Sequence, residues 1–351
     1  MESRSSFAGK VGNNKIIVIL GPTSSGKSSV AIKLAQKFNG EIISVDSRQI
    51  YRGMDIGTGK VTKAEQALAK HHMLDVVGPK TNFSAAQFKK YAEKIIADIL
   101  KRGKVPILCG GTGFWIKALV DDVIYPEVKP DWKLREELGK KSAEQLFVML
   151  KKLDPVRARN IDAKNPVRLI RAIEICKTLG KVPLPIRNNE TNANLRTNSQ
   201  IRNFVDSDKF ACLPVGKADS HRFHDFLQIG ISLPKKKLHK NIEKRLKQRF
   251  GEGMIEEVER LHSEQKISWK KMESFGLGYL WIAKFLQKQL PKEELFSKVY
   301  FSEKDYAKRQ MTWFGKDERI IWLEKYSEIE KKVEKFIRVI PAKAGIQAPQ
   351  A

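Results

Sequence analysis

Ile16-Ile17-Val18-Ile19-Leu20-Gly21-Pro22-Thr23-Ser24-Ser25-Gly26-Lys27-Ser28 joins five aliphatic residues to a glycine-bounded loop, and the following Lys27 to Phe38 carries Val30, Leu34 and Phe38 at helical spacing. A short aliphatic run bounded by breakers reads as a buried strand, and the spacing after it as an amphipathic helix. The loop between them satisfies G-x-x-x-x-G-K-[ST] in full, in the strand-loop-helix context the pattern needs. Its glycines let backbone N–H groups close around a phosphate, the helix N-terminus adds partial positive charge, and Lys27 adds a full one. Gly21, Pro22, Thr23, Ser24, Ser25, Gly26, Lys27 and Ser28 are therefore candidate di- or triphosphate ligands, with Ser28 the candidate Mg²⁺ ligand.

Outward from this stretch, strands are expected at Glu41 to Val45, Met73 to Val77, Val105 to Cys109, Leu227 to Ser232 and Ile320 to Leu323. Helical stretches lie between them, among them Ala85 to Arg102 with Phe88, Ile95 and Ile99 inward. Strand alternating with helix implies an α/β fold, a P-loop NTPase-like parallel sheet with flanking helices. After Val120 the strand signal stops and basic helical stretches take over at Trp132 to Lys140, Ala143 to Leu153 and Pro166 to Leu179, an inserted all-helical domain. The expected organisation is a disordered tail over 1–14, a core over 15–122 and 226–325, the helical insertion over 123–186, a polar loop over 187–225, and a helix end and tail over 326–351.

The 351 residues include 66 Lys and Arg against 40 Asp and Glu, a formal charge of +26, with 41% hydrophobic residues. At about 150 residues per domain this is enough for two cores, and it excludes a disordered or collagen-like chain. Charge of that size points to a polyanion, nucleic acid before membrane. Cys109, Cys176 and Cys212 fit neither a disulfide framework nor a zinc cluster, and the early apolar run is too short for a signal or membrane segment, so a cytoplasmic protein is expected. No internal repeat is found.

A phosphate loop does not say which bond breaks. The strand that in most such ATPases ends in a magnesium-ordering Asp reads here Val105-Pro106-Ile107-Leu108-Cys109-Gly110-Gly111-Thr112, without a carboxylate. Instead Asp46 follows the second strand, at the carboxyl end where doubly wound sheets build their sites. It is a candidate base or metal ligand there; capping the next turn is the plainer role.

Several blocks, taken in order, resemble the tRNA dimethylallyltransferases, also called tRNA isopentenylpyrophosphate transferases. These are the loop Gly21 to Ser28, Asp46-Ser47-Arg48-Gln49-Ile50-Tyr51, and Gly53-Met54-Asp55-Ile56-Gly57-Thr58-Gly59-Lys60. They continue with His71-His72-Met73-Leu74-Asp75, Phe83-Ser84-Ala85 and Gly110-Gly111-Thr112, then Asp154-Pro155, Asn165 to Glu174 and Tyr306-Ala307-Lys308-Arg309-Gln310-Met311-Thr312-Trp313. The resemblance spans about Lys15 to Leu323; the Gly53 to Lys60 block is specific, the phosphate loop alone is not. It implies transfer of a dimethylallyl group from its diphosphate to N6 of the adenosine beside the anticodon, position 37.

Under that resemblance Asp46 and Thr112 are the catalytic residues and the loop holds the diphosphate with Mg²⁺. An N6 amine is a weak nucleophile, so a positioned base is useful, and a departing diphosphate needs compensating charge. Thr112 is equally suited to cap the helix over Gly113 to Val120. The tRNA contacts implied are Asp46, Ser47, Arg48, Gln49, Arg135, Val167, Arg168, Leu169, Ile170, Arg171, Tyr279 and Arg309, with the anticodon stem-loop as partner, no membrane, and a monomer acting alone. Tyr279, Arg309 and Trp313 combine packing with contact.

Lys235 to Arg249 holds eight Lys and Arg and one acid, while Leu238, Ile242, Leu246 and Phe250 line one face, so one side packs and the other can meet phosphate. Within it Asn241 stands where the family has an arginine approaching the pyrophosphate. Either Lys240, Lys244 or Arg245 substitutes, or donor binding is weakened. His71 and His72 precede a strand and suit structural hydrogen bonds rather than catalysis, and no metal triad is visible. Two other classes compete: a kinase, which shares the loop but breaks a P–O bond of a triphosphate such as ATP, and an RNA-binding factor without catalysis.

Overall fold

A computed structural model describes residues 14–123, 125–126, 128–183 and 224–338. The expected tail over 1–14 apart from Asn14, the last part (339–351) of the expected segment over 326–351, and most of the polar loop over 187–225 lie outside the described residues. The chain divides into two compact units, one from 1–120 with 215–351 and one over 121–214.

In the first unit, β1 (Lys15–Leu20), β2 (Gly40–Val45), β3 (His71–His72), β4 (Val105–Gly110), β5 (Asp225–Ile231) and β6 (Ile321–Leu323) form one sheet in the order β3-β2-β4-β1-β5-β6. Every pairing is parallel. All six residues of β1 are buried, as a strand covered on both faces requires. One face is packed by α1 (Lys27–Lys37) through Ala31, Leu34 and Ala35. On the other, α3 (Ala85–Lys101) presents Phe88, Ile96 and Ile99, with Phe88 stacked on Trp115 of α4 (Gly113–Val120). Ile96 rather than the expected Ile95 faces inward.

Two expectations are corrected. Met73 to Val77 is not a strand: pairing is confined to His71 and His72, because Met73 and Asp75 adopt φ of 63° and 55°, which breaks extended backbone. Val77 makes only an isolated bridge to Tyr51. The segment from 326 is not a mere helix end outside the core. It forms a 13-residue helix whose Ile329, Val333 and Ile337, four residues apart, enter the sheet core, and Lys15 donates to the carbonyls of Phe336 and Ile337 near its C-terminus.

The histidines are structural: His72 Nε2 lies 2.7 Å from the Glu41 carboxylate and His71 Nδ1 2.8 Å from the Ala69 carbonyl. The short α2 (Lys63–Leu68) carries a capping box, Thr62 with Glu65.

The second unit, in its described part, is helical: α5 (Trp132–Gly139), α6 (Ala143–Leu153), α7 (Pro155–Arg159) and α8 (Pro166–Leu179). Leu134, Leu138, Leu146, Leu150, Leu169 and Ile173 make its core. Asp154-Pro155 and Asn165-Pro166 each place a capping side chain before proline at the first helical turn, which gives these motif pairs an immediate folding role.

In the first unit the chain continues as α9 (Lys235–Gly251), α10 (Met254–Ser263), α11 (Trp269–Ser274), α12 (Leu277–Leu286), α13 (Lys292–Phe314) and, after β6, α14 (Tyr326–Arg338). Among the described residues no helix is long and apolar enough to cross a membrane.

Candidate active site

The strand order decides which loops meet. β4 lies between β1 and β2, pairing Leu20 and Val45 each with Gly110. The segments after these strands, Gly21 to Ser28, Asp46 to Tyr51 and Gly111-Thr112, therefore emerge side by side at one edge of the sheet. The first two of these segments, with the Cys109-Gly110 end of β4, line an inner cavity of about 80 Å³ that Lys27, Ser28, Asp46, Cys109, Tyr306 and Gln310 share. A wider cleft of about 570 Å³ adjoins it, bounded by Ser24 to Ser29, by Asp55 to Gln66 and by Asn241 to Glu252 in part, with Lys27, Ser28, Arg245 and Arg249 lining both.

In the loop, Gly26 takes φ 88° and no side chain caps α1, so the helix N-terminus faces the cavity uncapped. The Ser24 and Ser25 hydroxyls are buried without a hydrogen-bond partner, as suits a site shaped for an anion. Lys27 Nζ donates to the Pro22 carbonyl at 3.1 Å; desolvation pulls its pKa down, and the Arg245 guanidinium pulls the same way. Gln310 of α13 ties the two glycine loops together. It accepts from Thr23 N at 2.8 Å and donates to the Gly111 carbonyl at 3.0 Å, and a Cβ at Gly111 would collide with it.

Asp46 Oδ1 accepts from Arg48 N at 2.9 Å, so the turn-capping role anticipated for it is real and leaves the rest of the carboxylate on the cavity. The Thr112 carbonyl accepts from Trp115 N and Ile116 N at the start of α4. The Thr112 hydroxyl accepts from Ser47 N at 3.0 Å and so pins the segment that carries Asp46. Arg48 packs over Phe275 and donates to the Ser274 carbonyl. Both ends of the Gln49 amide are engaged inside the protein, with Ser44 and with the Gly59 carbonyl.

The Gly53 to Lys60 block forms the wall between cavity and cleft. Glu257 of α10, 1% exposed, accepts from Asp55 N, Ile56 N and Gly57 N, while Arg249 donates to the Gly57 carbonyl and Arg245 to the Gly59 carbonyl at 2.6 Å. Lys60 joins Asp55 and Asp75, each at 2.6 Å. Arg249 is itself paired with buried Glu303. Sequence reasoning missed Glu257, Glu303 and Arg245 as builders of this wall. The only available signal was charge at inward helical positions, which pattern cannot separate from a solvated face.

Asn241 donates to the Ser24 carbonyl at 3.3 Å and so supports the loop. Of the three cations named as substitutes for an arginine there, Arg245 lines both cavities, Lys244 only the cleft, and Lys240 neither.

The remaining contact candidates separate. Val167 and Arg168 are exposed at the start of α8, and Arg309 is exposed on α13. The Leu169 side chain is 0% exposed and is not presented to a partner, because helical spacing turns it inward, while Ile170 is half-buried against the same core. Arg135 and Arg171 both embrace buried Glu174, and Arg171 also holds the Val128 carbonyl; they brace the helical unit. Tyr279 is 2% exposed with its hydroxyl on Glu257, so it offers the cavity only its ring.

An uncapped helix after a glycine loop, a carboxylate at the neighbouring strand end and cations along both cavities belong to an α/β protein of P-loop-like fold. The family model described as IPP transferase matches residues 49–317. A tRNA dimethylallyltransferase of Acetivibrio thermocellus is 36% identical over 95% of this chain and 99% of its own length. Two solved tRNA isopentenylpyrophosphate transferases share the fold. That of Bacillus halodurans has a TM-score of 0.63 at 29% identity, covering 92% of this chain and 97% of that one. That of Staphylococcus epidermidis has 0.60 at 33%, covering 92% and 98%. The chain belongs to the IPP transferase family.

Proposed function

We propose that this protein transfers the dimethylallyl group of dimethylallyl diphosphate to N6 of adenosine 37, next to the anticodon of tRNA, releasing diphosphate. One observation carries the assignment: Asp46 and the Lys27–Ser28 end of the phosphate loop line a single cavity, so a base and a leaving-group site face each other across it. The N6 lone pair attacks C1 of the allyl group, the C1–O bond breaks with its electrons going to diphosphate, and Asp46 takes the N6 proton. Lys27, the N-terminus of α1 and Arg245, which stands in for the arginine absent at Asn241, hold the charge that develops on the departing oxygens. Thr112 keeps Ser47 and hence Asp46 in place.

Mg²⁺ suits the site, since it keeps waters and takes most of its other ligands from phosphate oxygens, and the described residues hold no cluster of three or more His, Cys, Asp and Glu that would build a protein cage. Ser28 would hold it, and when bound it neutralises charge on the diphosphate. Exposed Arg168, Val167 and Arg309, with half-buried Arg48 and with Ser47 and Gln49 beside the base, form the anticodon stem-loop contacts. The enzyme works as a monomer in the cytoplasm. ATP, if it enters the loop at all, competes with the donor rather than serving as substrate.

Purified protein with unmodified tRNA, Mg²⁺ and labelled dimethylallyl diphosphate should place label on adenosine 37, while labelled ATP transfers no phosphate. Phosphate transfer without prenylation would overturn the assignment in favour of a kinase. Asp46→Asn should abolish label transfer and leave tRNA retention on a filter intact; equal loss of both would remove Asp46 as base.

A further inference from the structure

Apart from the Tyr306 ring, the large apolar side chains on the inner cavity come from one stretch, Phe275, Leu277 and Tyr279. Gly276 and Leu277 take φ of 72° and 47° in succession, a left-handed turn that leucine adopts only at a cost and that sets Leu277 on the cavity. Phe275 packs on Tyr51 with ring centres 5.2 Å apart, and meets Tyr279 edge to face at 5.9 Å.

Tyr279 is clamped more tightly than its neighbours. Its hydroxyl donates to Glu257 at 2.7 Å, and the same carboxylate holds the amides of Asp55, Ile56 and Gly57. The ring lies against Gly57, where a Cβ would stand 2.6 Å from Tyr279 Cζ, so glycine is what lets the ring sit there. Swinging the ring away would strip a donor from a buried carboxylate, which is costly. Tyr279 is 2% exposed, so a chain that reaches the ring meets protein beyond it and not solvent.

An allylic diphosphate has one charged end and one apolar end. With the charged end at Lys27, Ser28 and the N-terminus of α1, the hydrocarbon tail is drawn to the apolar side of the cavity, which is Phe275, Leu277 and Tyr279. Resting on the transfer proposed above, we infer that Tyr279 is a specificity-determining residue: its ring, clamped between Glu257, Gly57 and Phe275, ends the apolar part of the cavity and limits the donor to one isoprene unit. Leu277 and Phe275 complete that wall, and the ten-carbon homologue is excluded because the wall does not yield.

The full chain with unmodified tRNA and labelled dimethylallyl or geranyl diphosphate tests this through the ratio of the two kcat/KM values, which is independent of the fraction of protein folded. Wild-type protein should prefer the five-carbon donor by about a hundredfold or more, since five further carbons at a rigid wall cost more than a single methylene does. Tyr279→Ala should raise the geranyl-to-dimethylallyl ratio by about tenfold or more, whereas Tyr279→Phe, which keeps the ring between Gly57 and Phe275, should hold the wild-type ratio within about threefold. Leu277→Ala leaves the Tyr279–Glu257 bond in place and should shift the ratio in the same direction, which keeps the inference open to refutation if Tyr279→Ala does not fold. Equal use of both donors by wild-type protein, or the wild-type ratio retained in the alanine variants, would overturn the inference. A loss confined to tRNA affinity in Tyr279→Ala would overturn it too, by making the ring an RNA contact. Wild-type protein that transfers no label from dimethylallyl diphosphate would instead defeat the transferase assignment on which the inference stands.

Discussion

Glu257 and Gly57, two hundred residues apart in sequence, meet with the Glu257 carboxylate 2.9 Å from the Gly57 backbone nitrogen. The same carboxylate accepts from Asp55 N, Ile56 N and the Tyr279 hydroxyl, at 2.8, 2.7 and 2.7 Å. Four donors on one buried carboxylate turn three consecutive amides of a glycine-rich block into a rigid wall. Glu257→Gln puts an amide NH₂ where two donors point, so it should destabilise by about 2 to 4 kcal/mol, and it should raise KM for the donor. Denaturant midpoints and donor kinetics check this; an unchanged midpoint would mean the wall is held by other contacts.

Gly59 sits at φ 58°, and a Cβ there would run into the Arg245 guanidinium. Gly59→Ala should therefore displace Arg245 from the boundary of cavity and cleft. The expected readout is a rise of about tenfold or more in donor KM, the cost of a lost charge-assisted contact, with tRNA retention unaltered.

The Cys109 thiol is pushed up to about 11, chiefly by burial. At pH 8 only about one thiol in a thousand would be ionised, so iodoacetamide should leave Cys109 unmodified in the folded protein and alkylate it once denaturant is added. Mass mapping of the peptide decides; rapid labelling of the native state would refute the buried placement.

Glu41, 1% exposed, gathers Arg102, Lys104 and His72, and these hydrogen bonds, Arg102 first, hold its carboxyl well below the usual carboxylate range. A carboxylate depressed on folding contributes stability at pH values above its unfolded pKa of about 4.3 and loses it as pH falls below that. Thermal unfolding should accordingly drop in Tm below about pH 4. Glu41→Gln should flatten that acid limb while costing about 2 kcal/mol at pH 7.

Exposed Arg168 and paired Arg171 should behave differently. Arg168→Ala should weaken tRNA binding and reduce its salt dependence by about one unit of log–log slope, with folding intact. Arg171→Ala strips a partner from buried Glu174 and should lower the stability of the helical unit. Filter binding across a salt series, paired with thermal melts, separates the two.

Local sequence determined much of this protein. Five aliphatic residues before Gly21 can only be satisfied in a covered strand, the loop to Ser28 needs its glycines for the turn, and cap-proline pairs at Asp154 and Asn165 start helices from information within four residues. Family blocks containing Asp46 and Thr112 were equally legible, because their spacing is rigid along the chain. What the pattern could not carry was pairing at a distance. Met73 to Val77 has strand-like composition, but positive φ at Met73 and Asp75 ends the extended run after His72. Arg135 and Arg171 read as free cations until Glu174 stands between them, and Leu169 reads as part of a contact motif until its helix is turned against its core. Charge and hydropathy along a chain state what a residue can do. Only tertiary packing, which brings Glu257 to Gly57 and to the Tyr279 hydroxyl, decides which partner satisfies it, since an unpaired buried charge or donor is too costly to leave open.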